Sequence, residues 1–111
     1  MKILFLSPEA VPFAKTGGLA DVAGALPIAL KNLGMDVRLV LPLYRVIQEG
    51  NFQTDLLIND LDVPLGEEKL TTNVLESKTE EEIPVYLLDR EDLYGRPNLY
   101  GNARGDYYDN L

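Results

Sequence analysis

The chain has 111 residues, of which 46% are apolar and 25% charged, and a formal net charge of -8 at pH 7. This length suits one domain or part of a larger one, and the apolar content is too high for a disordered segment. Cysteine and histidine do not occur, which excludes disulfides, thiol nucleophiles, histidine bases and Cys/His metal ligands.

The negative charge is concentrated downstream. Residues 1–45 carry five basic and three acidic side chains, whereas residues 60–92 carry eleven acidic and three basic ones. Such a region repels nucleic acid and anionic lipid, so we expect neither nucleic acid nor a membrane as a partner. The apolar run Ile3–Leu6 is too short for a signal peptide, no stretch is long enough for a membrane helix, and a cytoplasmic location is expected.

The first elements predict a right-handed strand–helix–strand unit. Consecutive apolar residues in Lys2–Leu6 are typical of a strand buried on both faces of a parallel sheet. A second strand is predicted for Asp36–Leu41, closed by Pro42. The helix between them is predicted to end at Gly34 and to be kinked or shortened at Pro27. Its sheet-facing side is predicted from helical spacing to consist of Leu19, Val22, Ala23, Leu26, Leu30 and Leu33.

The segment Ser7–Gly18 joins the first strand to this helix. It contains two prolines and two glycines, and it is predicted to be an extended loop. Loops at this position commonly have about 2 to 6 residues, and longer ones are often functional.

The downstream pattern predicts more strands. These are Leu56–Val63, Lys69–Leu75 and Pro84–Leu88, the last resembling a buried parallel strand. The turn residues Leu65–Glu68 favour a hairpin inserted into the α/β pattern. Regularity is lost after Asp89, so we expect the chain to stop before its domain does.

The loop–helix junction carries the clearest chemical signal. Gly17 and Gly18 permit close backbone approach and positive φ, a helix amino terminus presents free N–H groups, and Lys15 adds an ammonium. Together these suit a diphosphate. The spacing matches neither the P-loop nor the dinucleotide fingerprint, so a flexible turn with an exposed lysine is the open alternative.

Longer motifs add a family resemblance. The chain reads Ser7-Pro8-Glu9 and then Lys15-Thr16-Gly17-Gly18-Leu19-Ala20-Asp21-Val22. These motifs, within residues 1–45 as a whole, resemble the opening of bacterial glycogen synthases and plant starch synthases. Similar motifs continue at Gly24–Pro27, Leu33–Gly34, Val37–Tyr44, Pro84–Asp89, Leu93–Pro97 and Gly105–Asn110, and only Val46–Glu82 matches loosely.

The resemblance implies an α/β fold, namely part of the Rossmann-like amino-terminal domain of a two-domain GT-B glycosyltransferase. It also implies a retaining glucosyltransferase that extends an α-1,4-glucan from ADP-glucose, with no metal and no cofactor. The acid, base and phosphate ligands of the family's carboxyl-terminal domain have no counterpart here. No catalytic residue is therefore expected in residues 1–111, and this piece is expected to be inactive alone.

For the donor, the resemblance implies that Lys15 binds the nucleotide sugar and that the amides of Gly17 and Gly18 contact its distal phosphate. Asp21 either faces the glucose hydroxyls or favours the helix dipole. Glu9 either orients the loop or caps a backbone group.

For the acceptor, aromatic rings suit the apolar faces of sugars, and loop placement with the resemblance points to Tyr94 and Tyr100. Two other readings stay open: a stand-alone nucleotide- or phosphate-binding module, and a non-catalytic scaffold. The residues present do not distinguish ADP-glucose from UDP-glucose.

Overall fold

The computed structural model describes residues 1–90, 101–102 and 105–106, where a five-stranded sheet carries a long helix on one face. In chain order the elements are β1 (Lys2–Leu6), α1 (Gly18–Asn32), β2 (Asp36–Pro42), α2 (Arg45–Glu49), β3 (Asp55–Leu65), β4 (Glu68–Lys78), β5 (Pro84–Asp89), β6 (Gly101–Asn102) and β7 (Gly105–Asp106). The sheet order is β1-β2-β5-β4-β3. Strands β1, β2 and β5 are parallel, whereas β4 pairs antiparallel with β5 and β3. Strands β6 and β7 form a separate pair.

The core lies on the sheet face that α1 covers. Because side chains alternate along a strand, β2 directs every second residue to this face. Phe5 of β1 lies opposite Leu39 of β2, and residues of β5 lie opposite both Leu39 and Leu41. The innermost of these side chains, each at most 1% exposed, are Leu39, Leu41, Val85 and Leu87. Burying each one contributes about 1.5–3 kcal/mol before the entropy of folding is counted.

The predicted strands are confirmed. Strands β1 and β2 pair in parallel with α1 between them in the chain, and β5 continues the parallel part of the sheet. Strands β3 and β4 form the predicted hairpin, whose turn has Gly66 at φ 64°. The short helix α2 was not predicted, since five residues are too few to show a helical period.

Helix α1 has the predicted position but buries a different face. It runs from Gly18 to Asn32 without interruption at Pro27, and Gly34 follows it at φ 87°, as expected of a glycine just past a helix end. The predicted sheet-facing side is wrong for four of its six residues, Leu19, Val22, Leu26 and Leu33, which are exposed. Ala23 is buried as predicted and Leu30 partly so, and the other side chains that α1 buries are those of Ala20 and Pro27.

Small residues explain this choice of face. A Cβ atom added to Gly24 would lie 2.3 Å from Val11 Cγ2 and 3.0 Å from the Val11 carbonyl oxygen. The Val11 amide also donates to the carbonyl of Ala20, at 3.1 Å. The helix therefore approaches the loop more closely than leucine side chains would allow.

Two expectations about the start of the chain are also wrong. Strand β1 is not buried on both faces, because α1 covers one side and no described element buries Leu4 and Leu6, which are 57% and 69% exposed. The following loop is folded rather than extended. Ala10 and Ala14 exchange two backbone hydrogen bonds of 2.9 and 3.0 Å, and buried Phe13 packs on Phe52 with ring centroids 4.7 Å apart.

We predict that Gly24→Ala destabilises the full-length protein. Alanine normally gains roughly 0.5–1 kcal/mol over glycine inside a helix, but here overpacking against Val11 costs about 1–3 kcal/mol. Gly18→Ala is the matched control, since no atom lies within 4 Å of its added Cβ. Urea midpoints measure both variants, and an unchanged or higher midpoint for Gly24→Ala would contradict the close contact.

Candidate functional site

The predicted donor residues lie together at the junction of the loop and α1. Gly17 is the N-cap of α1, Gly18 is its first residue, and Asp21 stands in its first turn. Lys15 lies at the end of the loop that leaves the carboxyl end of β1, which is where open α/β sheets bind ligands. The predicted acceptor residues Tyr94 and Tyr100 fall outside the described residues.

Lys15 and Asp21 form an ion pair. The Lys15 ammonium nitrogen Nζ donates to both carboxylate oxygens of Asp21, at 2.9 and 3.0 Å. Both side chains remain about half exposed, at 52% and 57%, so the pair stabilises the fold by at most about 1 kcal/mol. This pairing was not predicted, although the carboxylate's place in the first turn also suits the helix dipole.

The two glycines leave open space on the outside of the junction. Glycine permits positive φ, but Gly17 is extended, with φ -166°, and Gly18 is helical. A Cβ added at either position meets no atom within 4 Å. Within the described part of the chain, the amide N–H groups of Gly18 and Leu19 have no hydrogen-bond acceptor. Neither the backbone conformation nor the packing requires glycine here, and the junction is open to close approach from outside.

Glu9 fixes the junction from the inside. Its side chain is buried, at 2% exposure. Oxygen Oε2 accepts from the Thr16 amide at 3.2 Å and from the Thr16 hydroxyl, and Oε1 accepts from the Ala20 amide at 3.1 Å. Both roles left open for Glu9 are therefore present, because it orients the loop and also takes an N-terminal donor of α1. Gly17 has no side chain to do so.

Thr16 was missed by the sequence reasoning. A hydroxyl residue just before a helical apolar run is a recognised capping signal. The functional role was instead assigned to the neighbouring glycines. The Thr16 hydroxyl and amide both point inward to Glu9, so Thr16 connects the loop to the buried carboxylate.

The sheet holds the other end of this loop. The Ser7 amide donates to the Val40 carbonyl at 3.1 Å, one residue past the end of β1. The Ser7 hydroxyl donates to the carbonyl of Glu9 at 2.6 Å, and the hydroxyl of buried Tyr44 donates to the carbonyl of Pro8 at 2.7 Å. The backbone before Glu9 is thus held by β2 and by Tyr44, which lies two residues past the end of β2.

Clefts lie near both ends of the parallel strands. A mostly apolar cleft of about 250 Å³ lies at the carboxyl ends of β1, β2 and β5, lined by Leu6, Ser7, Pro8, Val40, Leu41, Pro42 and Leu88. A polar cleft of about 610 Å³ lies near the amino end of β5, against residues that include Phe52, Asp55 and Lys78. Of the predicted site residues that the structure describes, none lines the larger cleft, so its size does not identify it as the site.

The described residues contain neither a cluster for a metal ion nor a helix that could span a membrane. No group of three or more acidic side chains there is arranged to hold a metal ion. Neither of the described helices has the length and apolar character needed to cross a membrane.

Comparison of sequences identifies relatives. The family model described as "Starch synthase catalytic domain" matches residues 2–111. A glycogen synthase of Geotalea daltonii is 44% identical over 110 residues, and glycogen synthase 2 of Geobacter metallireducens is 46% identical over 110 residues. Each alignment covers 99% of this chain and 22% of the relative. The chain therefore spans about a fifth of the length of these curated relatives.

Comparison of structures agrees on the fold. The catalytic domain of starch synthase IV from Arabidopsis thaliana, bound to ADP and acarbose, has a TM-score of 0.79 and 24% sequence identity. The similarity covers 92% of this chain and 21% of that one. At this identity the likeness establishes the fold alone, and it confirms the predicted α/β fold class, part of a GT-B catalytic domain.

We predict that the ion pair contributes little to stability. Lys15→Gln and Asp21→Asn should each change the free energy of unfolding by less than about 1 kcal/mol, because both side chains are half exposed. Leu39→Ala, which empties part of the core, should cost about 2–5 kcal/mol in the same urea titration. A loss above about 2 kcal/mol in either ion-pair variant would show that the pair is structural.

Proposed function

The chain belongs to the starch synthase catalytic domain family, and from this membership we propose that it is the amino-terminal part of a retaining glucosyltransferase. In the proposed reaction, the bond between glucose C1 and the diphosphate of ADP-glucose breaks, and C1 is joined to the non-reducing end of an α-1,4-glucan. ADP leaves, and the acceptor hydroxyl loses its proton. The observation that carries the proposal is the convergence of Lys15 with the open amino end of α1.

The donor diphosphate binds at this corner. Here Lys15, whose ammonium pairs with Asp21 in the first turn of α1, supplies a full positive charge at the helix start. The same helix start carries the amides of Gly17, Gly18 and Leu19. A helix amino terminus attracts anions through these N–H groups and through its dipole. Negative charge grows on the diphosphate as the glycosidic bond breaks, so a lysine and fixed amides stabilise the transition state more than the bound donor.

The open space beside the two glycines supports the same assignment. A side chain at Gly17 or Gly18 would meet nothing in the described protein. Glycine there lets a phosphate oxygen approach the backbone directly.

The ion pair gives Asp21 a place in the same proposal. Its carboxylate holds the Lys15 ammonium, at 2.9 and 3.0 Å, while no phosphate is bound. When the diphosphate takes over the ammonium, the Asp21 carboxylate is released to accept hydrogen bonds from the glucose hydroxyls. Exchanging one anionic partner for another costs little, since the pair is exposed.

The remaining assignments rest on the family membership. Tyr94 and Tyr100 contact the glucan acceptor, and a carboxyl-terminal domain supplies the catalytic residues and closes the cleft. The reaction uses no metal or other cofactor, and neither nucleic acid nor a membrane is a partner. A cytoplasmic location is proposed on the sequence alone.

We predict that Lys15→Gln lowers kcat/KM for ADP-glucose by about 10²- to 10³-fold in the full-length protein, the range found when one transition-state donor is removed. Lys69→Gln is a matched control, because Lys69 is also an exposed lysine paired with an aspartate, Asp62, at 2.9 Å. Radiolabelled glucose transfer to glycogen measures both. Equal rates for the two variants would refute the assignment of Lys15.

We also predict that the isolated piece of residues 1–111 transfers no glucose above background. One wall of a cleft neither positions donor and acceptor together nor excludes water. Incorporation of glucose from ADP-glucose into glycogen would disprove this. Saturable micromolar binding of ADP that Lys15→Ala abolishes, observed by NMR, would instead favour a stand-alone binding module.

A further inference from the structure

We propose that Glu9 is a positioning residue of the donor site, a role that rests on the function proposed above. Its carboxylate holds the loop and the start of α1 in one arrangement, and so sets where Lys15 and the free amides of α1 lie. Glu9 acts through Thr16 and Ala20, and not by contact with the donor.

The contacts of Glu9 join the two parts of the site. Oxygen Oε2 binds the amide and hydroxyl of Thr16, the residue between Lys15 and Gly17, while Oε1 binds the Ala20 amide in the first turn of α1. All three partners are donors, which suits a carboxylate that only accepts. The strand-side contacts of Ser7 and Tyr44 hold the backbone just before Glu9 against the sheet. The carboxylate therefore fixes the position of the loop relative to the sheet.

Glu9 also determines which backbone amides at the amino end of α1 bond within the protein and which remain available to a ligand. A helix leaves its first N–H groups without intrahelical partners. The Ala20 amide donates to Glu9 at 3.1 Å and to the Gly17 carbonyl at 3.3 Å. The amides of Gly17, Gly18 and Leu19, in contrast, have no acceptor among the described residues. These adjacent donors are thus kept for an anion, and the Ala20 amide is used to fix their direction.

The direction in which Glu9→Gln changes donor use distinguishes a positioning role from a purely electrostatic one. Removing a negative charge near a diphosphate site should tighten donor binding if electrostatics alone mattered. Glutamine, however, offers one carbonyl oxygen, and its NH₂ group must face either the Ala20 amide or the Thr16 amide, both of which are donors. One of these two backbone amides then loses its acceptor, so positioning predicts weaker donor use.

The experiment compares Glu9→Gln with wild type in the full-length protein. We expect kcat/KM for ADP-glucose to fall by up to about 100-fold, the effect of a displacement near 1 Å, while KM for glycogen stays within about twofold, a margin small beside that loss. Hydrogen–deuterium exchange should quicken at the amides of Thr16 and Ala20. Glu67→Gln, at the exposed hairpin turn, controls for charge removal, and Val85→Ala, in the core, controls for lost stability.

The outcomes are distinguishable. Donor kinetics equal to wild type, or improved, overturn the proposal, and so does unchanged exchange at Thr16 and Ala20. If Glu9→Gln does not fold, Thr16→Val and Thr16→Ser replace it: serine keeps the hydroxyl bond to Glu9 and should match wild type, whereas valine loses it and should raise KM for the donor. If the wild-type enzyme transfers no glucose, the proposed function fails, and the positioning role of Glu9 is rejected with it.

Discussion

Strand β2 is the constraint on which the position of the site depends, because it hydrogen-bonds β1 along one edge and β5 along the other. This pairing aligns the carboxyl ends of the three parallel strands. Beyond those ends the backbone continues the ladder, since the Ser7 amide reaches Val40 and the Leu43 amide reaches Leu88 at 2.8 Å. The loop after β1 therefore leaves the sheet at a fixed place, and the buried side chains of β2 keep it there.

Much of the fold was readable from the sequence because strands leave a strong local signal. Apolar runs bounded by turn residues identified β1, β2 and β5, and Gly66 marked the hairpin turn. The buried face of α1 was not readable in this way. Hydrophobic periodicity ranks leucine above alanine, but the contact with the loop is made by a small-residue face that includes Gly24. Which face is buried depends on the neighbouring Val11, which no local pattern reveals.

The site was predicted in its residue types and its place, and less well in its internal contacts. Lys15, the glycines and Asp21 do lie at one junction. Gly17 can adopt positive φ but is extended, because conformational freedom in a residue does not mean that the freedom is used. The contacts of Glu9 span seven and eleven positions along the chain. Such contacts form only when the loop folds back, and a pattern of adjacent residues does not predict that folding.

The exposed side of β1 has a consequence for how the chain behaves in solution. In the described sheet β1 is an edge strand, and its outward-facing Leu4 and Leu6 lie beside a row of unpaired backbone groups. Such an edge is a template for pairing with another molecule. Self-association through this edge would rise with protein concentration. The oligomeric state and solubility of an isolated piece would therefore depend on this edge more than on the chemistry of the loop.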